Sequence, residues 1–266
     1  HPSIIPAAIA AKKHVFTEKV LGSTLRQALD LAKQAEQAGV ALGVALSRTE
    51  IPEISGVRKL IDAGKLGQLT EARVRVAHGG VVPAPGAPNG WLPGRFLEPN
   101  EAMGGAMIDL GAHPLYLTRL LLGLPEAVTA VYGRVTGRPA DDNAVAVLSY
   151  ADGAIGVAET GFVSKGAPVE VEAHGFEASA IADPARREIV LWQVDESGKR
   201  GWTSEPFDLS PRKTPFDRWI DDIKSGSRSS LELAIDLSAL VEAANLSAKT
   251  GVRVPLDQLD GWSERL

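Results

Sequence analysis

The hydrophobic pattern of this chain changes its period near Leu69, and this change limits the folds that the 266 residues can adopt. Before it, amphipathic helical stretches alternate with short apolar runs such as residues 40–46, which are typical of strands buried on both faces of a parallel sheet. After it, residues 72–76 alternate apolar and charged side chains, as in a strand with one buried face. We therefore predict an α/β part, the end of a doubly wound domain, followed by a larger α+β part.

The second part is predicted to hold a mostly antiparallel open sheet with helices on one face, because strand-like runs follow one another with short turns between them. These runs are residues 127–135, 143–150, 154–162, 169–174, 178–182 and 188–194. Helices are predicted over residues 52–63, 105–122, 215–224 and 231–249. The Pro- and Gly-rich residues 79–100 are predicted to form a long loop, and the boundary between the two parts is placed after residue 47.

The composition narrows the possible functions. The formal net charge of −5 argues against nucleic acid or an anionic membrane surface as the main partner. The chain has no cysteine, which excludes disulfides, a thiolate nucleophile and zinc sites built on cysteine. Its apolar runs are too short to cross a bilayer, so we expect a cytoplasmic protein.

The residues best suited to chemistry lie on the predicted helix 105–122. Asp109 and His113 are four positions apart, so one helix would place them on the same face, where Asp109 can hold and polarise His113. An imidazole with its ordinary pKa near ~6.5 can move a proton at neutral pH. Apolar neighbours predict burial, and a buried pair of this kind must be partnered or functional. The alternative is a pair that only satisfies itself, and two ligands do not make a metal site.

Further candidates lie at the end of a strand and in the long loop. Glu18 and Lys19 follow the short apolar strand 15–17, and ligands of open α/β sheets gather at the carboxyl ends of strands. The alternative for this pair is a solvated ion pair. In the loop, Arg95 is a candidate to bind an anion or to anchor the loop, and the other candidates for a pocket lining are Trp91, Phe96 and His78.

Two ordered motifs carry a resemblance to a known family. The first is Glu18-Lys19-Val20, and the second is the glycine-rich stretch from Gly104 to His113, in which Asp109, Gly111 and His113 follow the spacing D-x-G-x-H. Further likenesses are residues 141–143, the turn at 151–153 and the helix end at 247–251. In this combination, and over essentially its whole length, the chain resembles the Gfo/Idh/MocA group, the glucose-fructose oxidoreductase and inositol dehydrogenase family.

The resemblance implies NAD(P)-dependent hydride transfer at a secondary alcohol or aldehyde carbon of a sugar, cyclitol or related polyol. By this likeness His113 is the acid/base, Asp109 orients His113 and binds a substrate hydroxyl, and Lys19 stabilises the reacting oxygen beside the nicotinamide. Glu18 and Lys19 are then the cofactor-binding residues of this chain. Arg95 and Trp91 join Asp109 as substrate-binding residues.

The resemblance also implies a domain division. Residues 1–47 would be the C-terminal remnant of a dinucleotide-binding (Rossmann) domain, and residues 48–266 would bind substrate and form a homodimer or homotetramer through the open sheet. The chain departs from the family in two ways: Val20 replaces a proline, which makes a cis peptide after Lys19 unexpected, and no G-x-G-x-x-G stretch is present. We expect roughly 60 to 80 residues to be missing upstream, and therefore weak or absent NAD(P) binding by this chain.

Two other functions stay open on the sequence alone. One is a non-catalytic binding or assembly module derived from the same family, which the missing phosphate loop favours and the presence of Lys19, Asp109 and His113 opposes. The other is a relative that uses the cofactor for hydrolysis or isomerisation through transient oxidation. The choice between NAD and NADP is also open, because the residue that reads the ribose would lie upstream.

Overall fold

The first part of the chain is a small parallel α/β unit. A computed structural model describes residues 3–99, 104–166, 169–194, 197–226 and 229–265. Its first elements are α1 (Ile4–Ala10), β1 (Val15–Glu18), α2 (Leu25–Ala38), β2 (Leu42–Ala45) and α3 (Pro52–Asp62). β1 and β2 pair in parallel, with Val15 opposite Leu42 and Glu18 opposite Ala45. The parallel arrangement predicted for this part is confirmed.

Helix α2 shows how the sequence determines the local structure here. The side chain of Thr24 accepts a hydrogen bond from the backbone N–H of Gln27 and so caps the helix start. Gly39 ends the helix in the left-handed conformation, at φ +68°, which glycine adopts without a steric penalty. The helix buries one apolar stripe, formed by Leu25, Ala28, Leu29, Leu31, Ala32 and Ala35.

The second part is built on a sheet of nine strands. They are β3 (Leu69–Ala77), β4 (Ala127–Gly133), β5 (Asn143–Ser149), β6 (Ile155–Gly161), β7 (Val169–Gly175), β8 (Ala178–Asp183), β9 (Glu188–Val194), β10 (Arg200–Pro206) and β11 (Val254–Pro255). The spatial order is β10-β9-β8-β7-β3-β6-β5-β4-β11, and among the described strands of this sheet only the pair β3–β6 is parallel. The prediction of a mostly antiparallel sheet is confirmed. β10 was not predicted, because nearly all of its side chains are exposed and no apolar alternation marks it.

Helices cover one face of this sheet. α5 (Ala112–Leu122) packs on β3 and β6, α7 (Ser229–Thr250) packs on β4, and α3 packs on β7 to β9, while α6 (Pro215–Ser225) lies against β2. Ala72, Val74 and Val76 of β3 point into this core, whereas Arg73 and Arg75 point to the opposite, open face. The predicted one-sided helical cover is confirmed. Within the described residues no helix is both long and apolar enough to span a membrane.

The predicted single helix over residues 105–122 is wrong. The structure has a short helix, α4 (Ala106–Asp109), and then α5, with a break at Leu110 and Gly111. The backbone N–H of Gly111 donates to Ala106, and the N–H of His113 donates to Leu110, so the regular spacing of helical hydrogen bonds is interrupted. Pro114 supports the break, since it has no N–H to continue the ladder. Asp109 and His113 therefore lie on different helices.

Candidate active site

Lys19 and Asp109 form the centre of the candidate site. Lys19 follows β1, and its Nζ donates to Asp109 Oδ1 at 2.9 Å and to the backbone carbonyl of Asp109. The two side chains are only 12% and 29% exposed, so the ion pair is partly shielded from water. The carboxyl end of the parallel sheet is thus joined to α4 across 90 positions of sequence.

The peptide bond after Lys19 differs from expectation. Lys19–Val20 is cis, although a trans bond was expected once valine replaced the family's proline. That expectation considered only the intrinsic preference of the bond. It left out the tertiary surroundings, in which Val20 and Leu21 are buried in the core and Lys19 is held by Asp109.

The sequence predicted a contact between His113 and Asp109. In the structure, His113 instead contacts Tyr116. His113 Nδ1 lies 3.0 Å from the Tyr116 hydroxyl, and that hydroxyl accepts a hydrogen bond from the backbone N–H of Arg48 at 3.0 Å. The break between α4 and α5 removes the shared helical face on which the Asp109–His113 contact depended. Asp109 therefore positions Lys19, while Tyr116 is the recorded hydrogen-bond partner of the imidazole.

Burial and nearby cations change the protonation of this cluster. Burial, together with the charges of Lys19 and Arg48, lowers the pKa of His113 to about 3. Burial also raises the pKa of Tyr116 above the ordinary range of a phenol. The prediction of an imidazole tuned near neutrality is therefore wrong for this structure, in which His113 is neutral at pH 7.

We expect acid to destabilise the chain through His113. Folding lowers its pKa from 6.5 to about 3, so between these values the unfolded chain binds the proton more readily and stability falls as the pH falls. Between about pH 8 and about pH 5, protonation of His113 should lower the free energy of unfolding by about 2 kcal/mol. Urea unfolding at the two pH values measures it, with His113→Gln as the variant that lacks the titrating ring. An equal loss of unfolding free energy in wild type and His113→Gln would contradict the lowered pKa of His113.

An aromatic wall lies beside this cluster. His78 directly follows β3 and stacks on Phe162, with ring centroids 5.2 Å apart and an interplanar angle of 15°. The ring of Trp91, a residue that is 62% exposed, has its centroid 4.7 Å from that of His78. Burial lowers the pKa of His78, the charge of Asp109 opposes this, and Arg48 adds to it. The charge of Asp109 therefore reaches His78 in this wall.

The remaining predicted residues lie less centrally. Arg95 is an exposed residue of a 3-10 turn (Gly94–Leu97), and its guanidinium lies 5.3 Å from the ring centroid of Phe96. Within the described part of the chain it has no recorded contact with Lys19, Asp109 or His113. Glu18 ends β1 with an exposed side chain, and its charge acts on Tyr116. Residues 100–103, between the loop and Gly104, lie outside the described residues.

Asp141 and Gly105 hold α4 in place. Asp141 accepts hydrogen bonds from the first two helical N–H groups, of Ala106 through its backbone carbonyl and of Met107 through Oδ2, each at 2.8 Å. A Cβ on Gly105 would lie 2.1 Å from the backbone oxygen of Asp141, so only glycine permits this close approach. The sequence placed residues 141–143 in the resemblance without a physical role, and the cap on α4 gives Asp141 one.

Sequence reasoning missed Arg48 and Tyr116. Arg48 follows β2 closely, so the rule that singled out Glu18 and Lys19 at a strand end could have found it. Tyr116 lies three residues after His113 on one helix, a spacing that brings two side chains together. It was overlooked because only the apolar neighbours of the Asp109–His113 pair were considered.

The chain is similar in sequence to known proteins. Residues 54–181 match the family described as the GFO/IDH/MocA C-terminal domain. The 1,5-anhydro-D-fructose reductase of Ensifer adhaerens is 30% identical over 205 residues, which cover 76% of this chain and 59% of the reductase. The myo-inositol 2-dehydrogenase of Thermotoga maritima is 27% identical over 239 residues, which cover 85% of this chain and 67% of that enzyme.

A solved structure extends the match to nearly the whole chain. GenD2 from gentamicin A biosynthesis, in complex with NAD, is 27% identical and has a TM-score of 0.76, with 96% of this chain and 75% of that chain covered. The match with the 1,5-anhydro-D-fructose reductase spans less than two thirds of that enzyme's length. The resemblance seen in the sequence is confirmed, and the chain carries a GFO/IDH/MocA C-terminal domain at residues 54–181.

Proposed function

We propose that this chain belongs to an oxidoreductase that transfers a hydride between NAD(P) and a secondary alcohol or aldehyde carbon of a sugar, cyclitol or related polyol. The observation that carries the proposal is the partly shielded Lys19–Asp109 pair at the carboxyl end of β1. His113 lies near this pair, since burial and the charge of Lys19 lower its pKa. The reductase and inositol dehydrogenase relatives act on substrates of this class by name.

The donor set fits a nicotinamide and a hydroxylated substrate. An ammonium, a carboxylate and an imidazole meet where the parallel strands end, which is where open α/β sheets bind ligands. The nicotinamide supplies the hydride acceptor when it is bound. Lys19 would stabilise charge on the reacting oxygen, Asp109 would hold Lys19 and bind a substrate hydroxyl, and His113 would act as the acid/base.

Other residues complete the proposed pocket. His78 and Trp91 would pack against the carbon face of a sugar ring, because aromatic surfaces suit its C–H groups and leave the hydroxyls to polar partners. Arg95 would bind substrate from the loop, and Glu18 would join Lys19 on the cofactor side. Residues 1–47 would be the end of a dinucleotide-binding Rossmann domain, which the parallel β1–β2 pair supports, and residues 48–266 the substrate domain.

The experiment is NAD(P)H formation by the full-length protein, followed by absorbance over a panel of sugars and polyols. A thermal-shift screen of the same panel would first select the substrates that bind. Turnover with at least one of them, which depends on His113, is the expected result. Binding of a sugar or polyol without turnover, with NAD and with NADP, would instead support the non-catalytic module.

The open face of the large sheet is proposed to bind a second copy of this chain. Val131, Ile155 and Trp202 on it are 73%, 48% and 58% exposed, which is unusual for large apolar side chains that share one face. Between them Arg73 pairs with Glu159 at 2.9 Å, and further charged pairs involve Arg75. A face that carries apolar groups and both signs of charge can complement itself, as a two-fold dimer requires.

A homodimer or homotetramer is therefore expected in solution, and light scattering measures it. Val131→Glu places a charge in the apolar part of this face and should shift the protein toward the monomer. Val252→Glu, at a valine that is 58% exposed and lies outside the sheet face, is the matched control and should leave the mass unchanged. A monomeric wild type would refute the proposal.

A further inference from the structure

Three polar groups meet on the core side of α5. The backbone N–H of Arg48 donates to the Tyr116 hydroxyl at 3.0 Å, and the same hydroxyl lies 3.0 Å from His113 Nδ1. Tyr116 is completely buried, so solvent cannot replace either partner. The directions of these hydrogen bonds are therefore decided within the cluster itself.

The donors and acceptors balance in only one way. A hydroxyl has one proton to donate, and the Arg48 N–H, which can only donate, occupies one of its lone pairs. The hydroxyl proton needs an acceptor, and within the described part of the chain His113 Nδ1 is the only one recorded. With the proton on Nδ1 instead, the Tyr116 hydroxyl would receive two donors and its own proton would be left buried without a partner.

Protonation is consistent with this balance. Burial keeps the phenol protonated by raising the pKa of Tyr116, and burial with two neighbouring cations keeps His113 neutral by lowering its pKa to about 3. A neutral imidazole carries a single proton, which is on Nδ1 or on Nε2. If Nδ1 accepts from Tyr116, the proton is on Nε2.

We propose that Tyr116 is a positioning residue that holds His113 in the tautomer with its proton on Nε2. Nε2 is the ring nitrogen left for the substrate, so the resting imidazole offers an N–H donor to the reacting oxygen, a consequence that rests on the proposed function. For Nε2 to accept a proton, the imidazole must first adopt the other tautomer and leave the Tyr116 hydroxyl without an acceptor. Tyr116 thereby controls when His113 can act as a base.

Nitrogen NMR of the 266-residue chain tests the tautomer directly. In the 15N-labelled protein, long-range 1H–15N correlations distinguish a protonated from an unprotonated ring nitrogen, and the spectrum of His113→Gln identifies the His113 signals among the five histidines. Wild type should show a protonated Nε2 and an unprotonated Nδ1. Tyr116→Phe keeps the packed ring, removes the hydroxyl and should give a mixture of the two tautomers.

Tyr150→Phe is the matched control, since it removes another buried hydroxyl that has no recorded hydrogen-bond partner, and its His113 signals should match wild type. A protonated Nδ1 in wild type, or an unchanged Nε2–H tautomer in Tyr116→Phe, would overturn the proposal. The NMR measurement of the His113 tautomer requires no turnover. Its outcome is therefore independent of whether the protein has the proposed oxidoreductase activity.

Steady-state kinetics of the full-length enzyme test the same proposal through its effect on activity. Tyr116→Phe should lower kcat for reduction of the substrate by NAD(P)H by about tenfold or more with KM nearly unchanged, because Nε2–H, the proposed proton donor to the reacting oxygen, is no longer held in place by one tautomer. The pH dependence of kcat should also shift in this variant and stay unchanged in Tyr150→Phe. Unchanged kcat and pH profile in Tyr116→Phe would remove the positioning role even if the tautomer were correct.

Discussion

Replacement of His113 by alanine in the full-length protein is expected to lower kcat/KM by ~10²–10⁴, the usual contribution of a positioned acid or base. The half-buried imidazole contacts the Tyr116 hydroxyl and lies within reach of the charge of Lys19, so the substitution removes the proposed acid/base from the centre of the site. The loss should appear mainly in kcat, because the proposed contact with the reacting oxygen strengthens as charge develops. Steady-state rates of NAD(P)H formation measure it.

His14→Ala is the matched control for this experiment. His14 precedes β1, whereas Lys19 follows it, so the control removes an imidazole at the opposite end of the same strand. Its rate should stay within a few-fold of wild type. If His113→Ala also kept its rate within a few-fold, His113 would not be the acid/base, and Lys19 would be the remaining candidate for proton exchange.

The strands of the large sheet were predictable because burial leaves a period of two in the sequence. β5 also shows the limit of that reasoning. Ala144, Ala146 and Leu148 face the core, but Val145 and Val147, which alternate with them, are apolar as well and remain exposed. The residues alone show that a strand is present, whereas the open face follows only from the placement of the helices.

The candidate site was predictable as a set of residues but not as a set of contacts. Lys19 and Asp109 were both named, yet their ion pair joins positions 90 residues apart, and periodicity carries no information at that distance. The helix break that separates Asp109 from His113 was marked by Gly111 and Pro114 and was overlooked. The lowered pKa of His113 depends on burial and on Arg48, which only the tertiary structure brings together.

Gly105→Ala is expected to damage stability and catalysis together. The new Cβ would lie 2.1 Å from the backbone oxygen of Asp141 and 2.5 Å from its Oδ1, so α4 or the Asp141 backbone must move by roughly 1 Å. We expect a loss of ~1–3 kcal/mol in the free energy of unfolding, typical of overpacking, measured by urea denaturation. A shift of this size in Asp109 should also lower kcat/KM by about 10²-fold, because the reacting groups depend on its placement.

Gly201→Ala is the matched control, since a Cβ at Gly201 in β10 has no heavy atom within 4 Å. It should leave both the stability and the rate close to wild type. The two losses in Gly105→Ala should occur together, because the cap on α4 and the position of Asp109 are one structural unit. A stable variant with full activity would show that α4 is held by other contacts, and a stable but inactive one would place the effect in Asp109 alone.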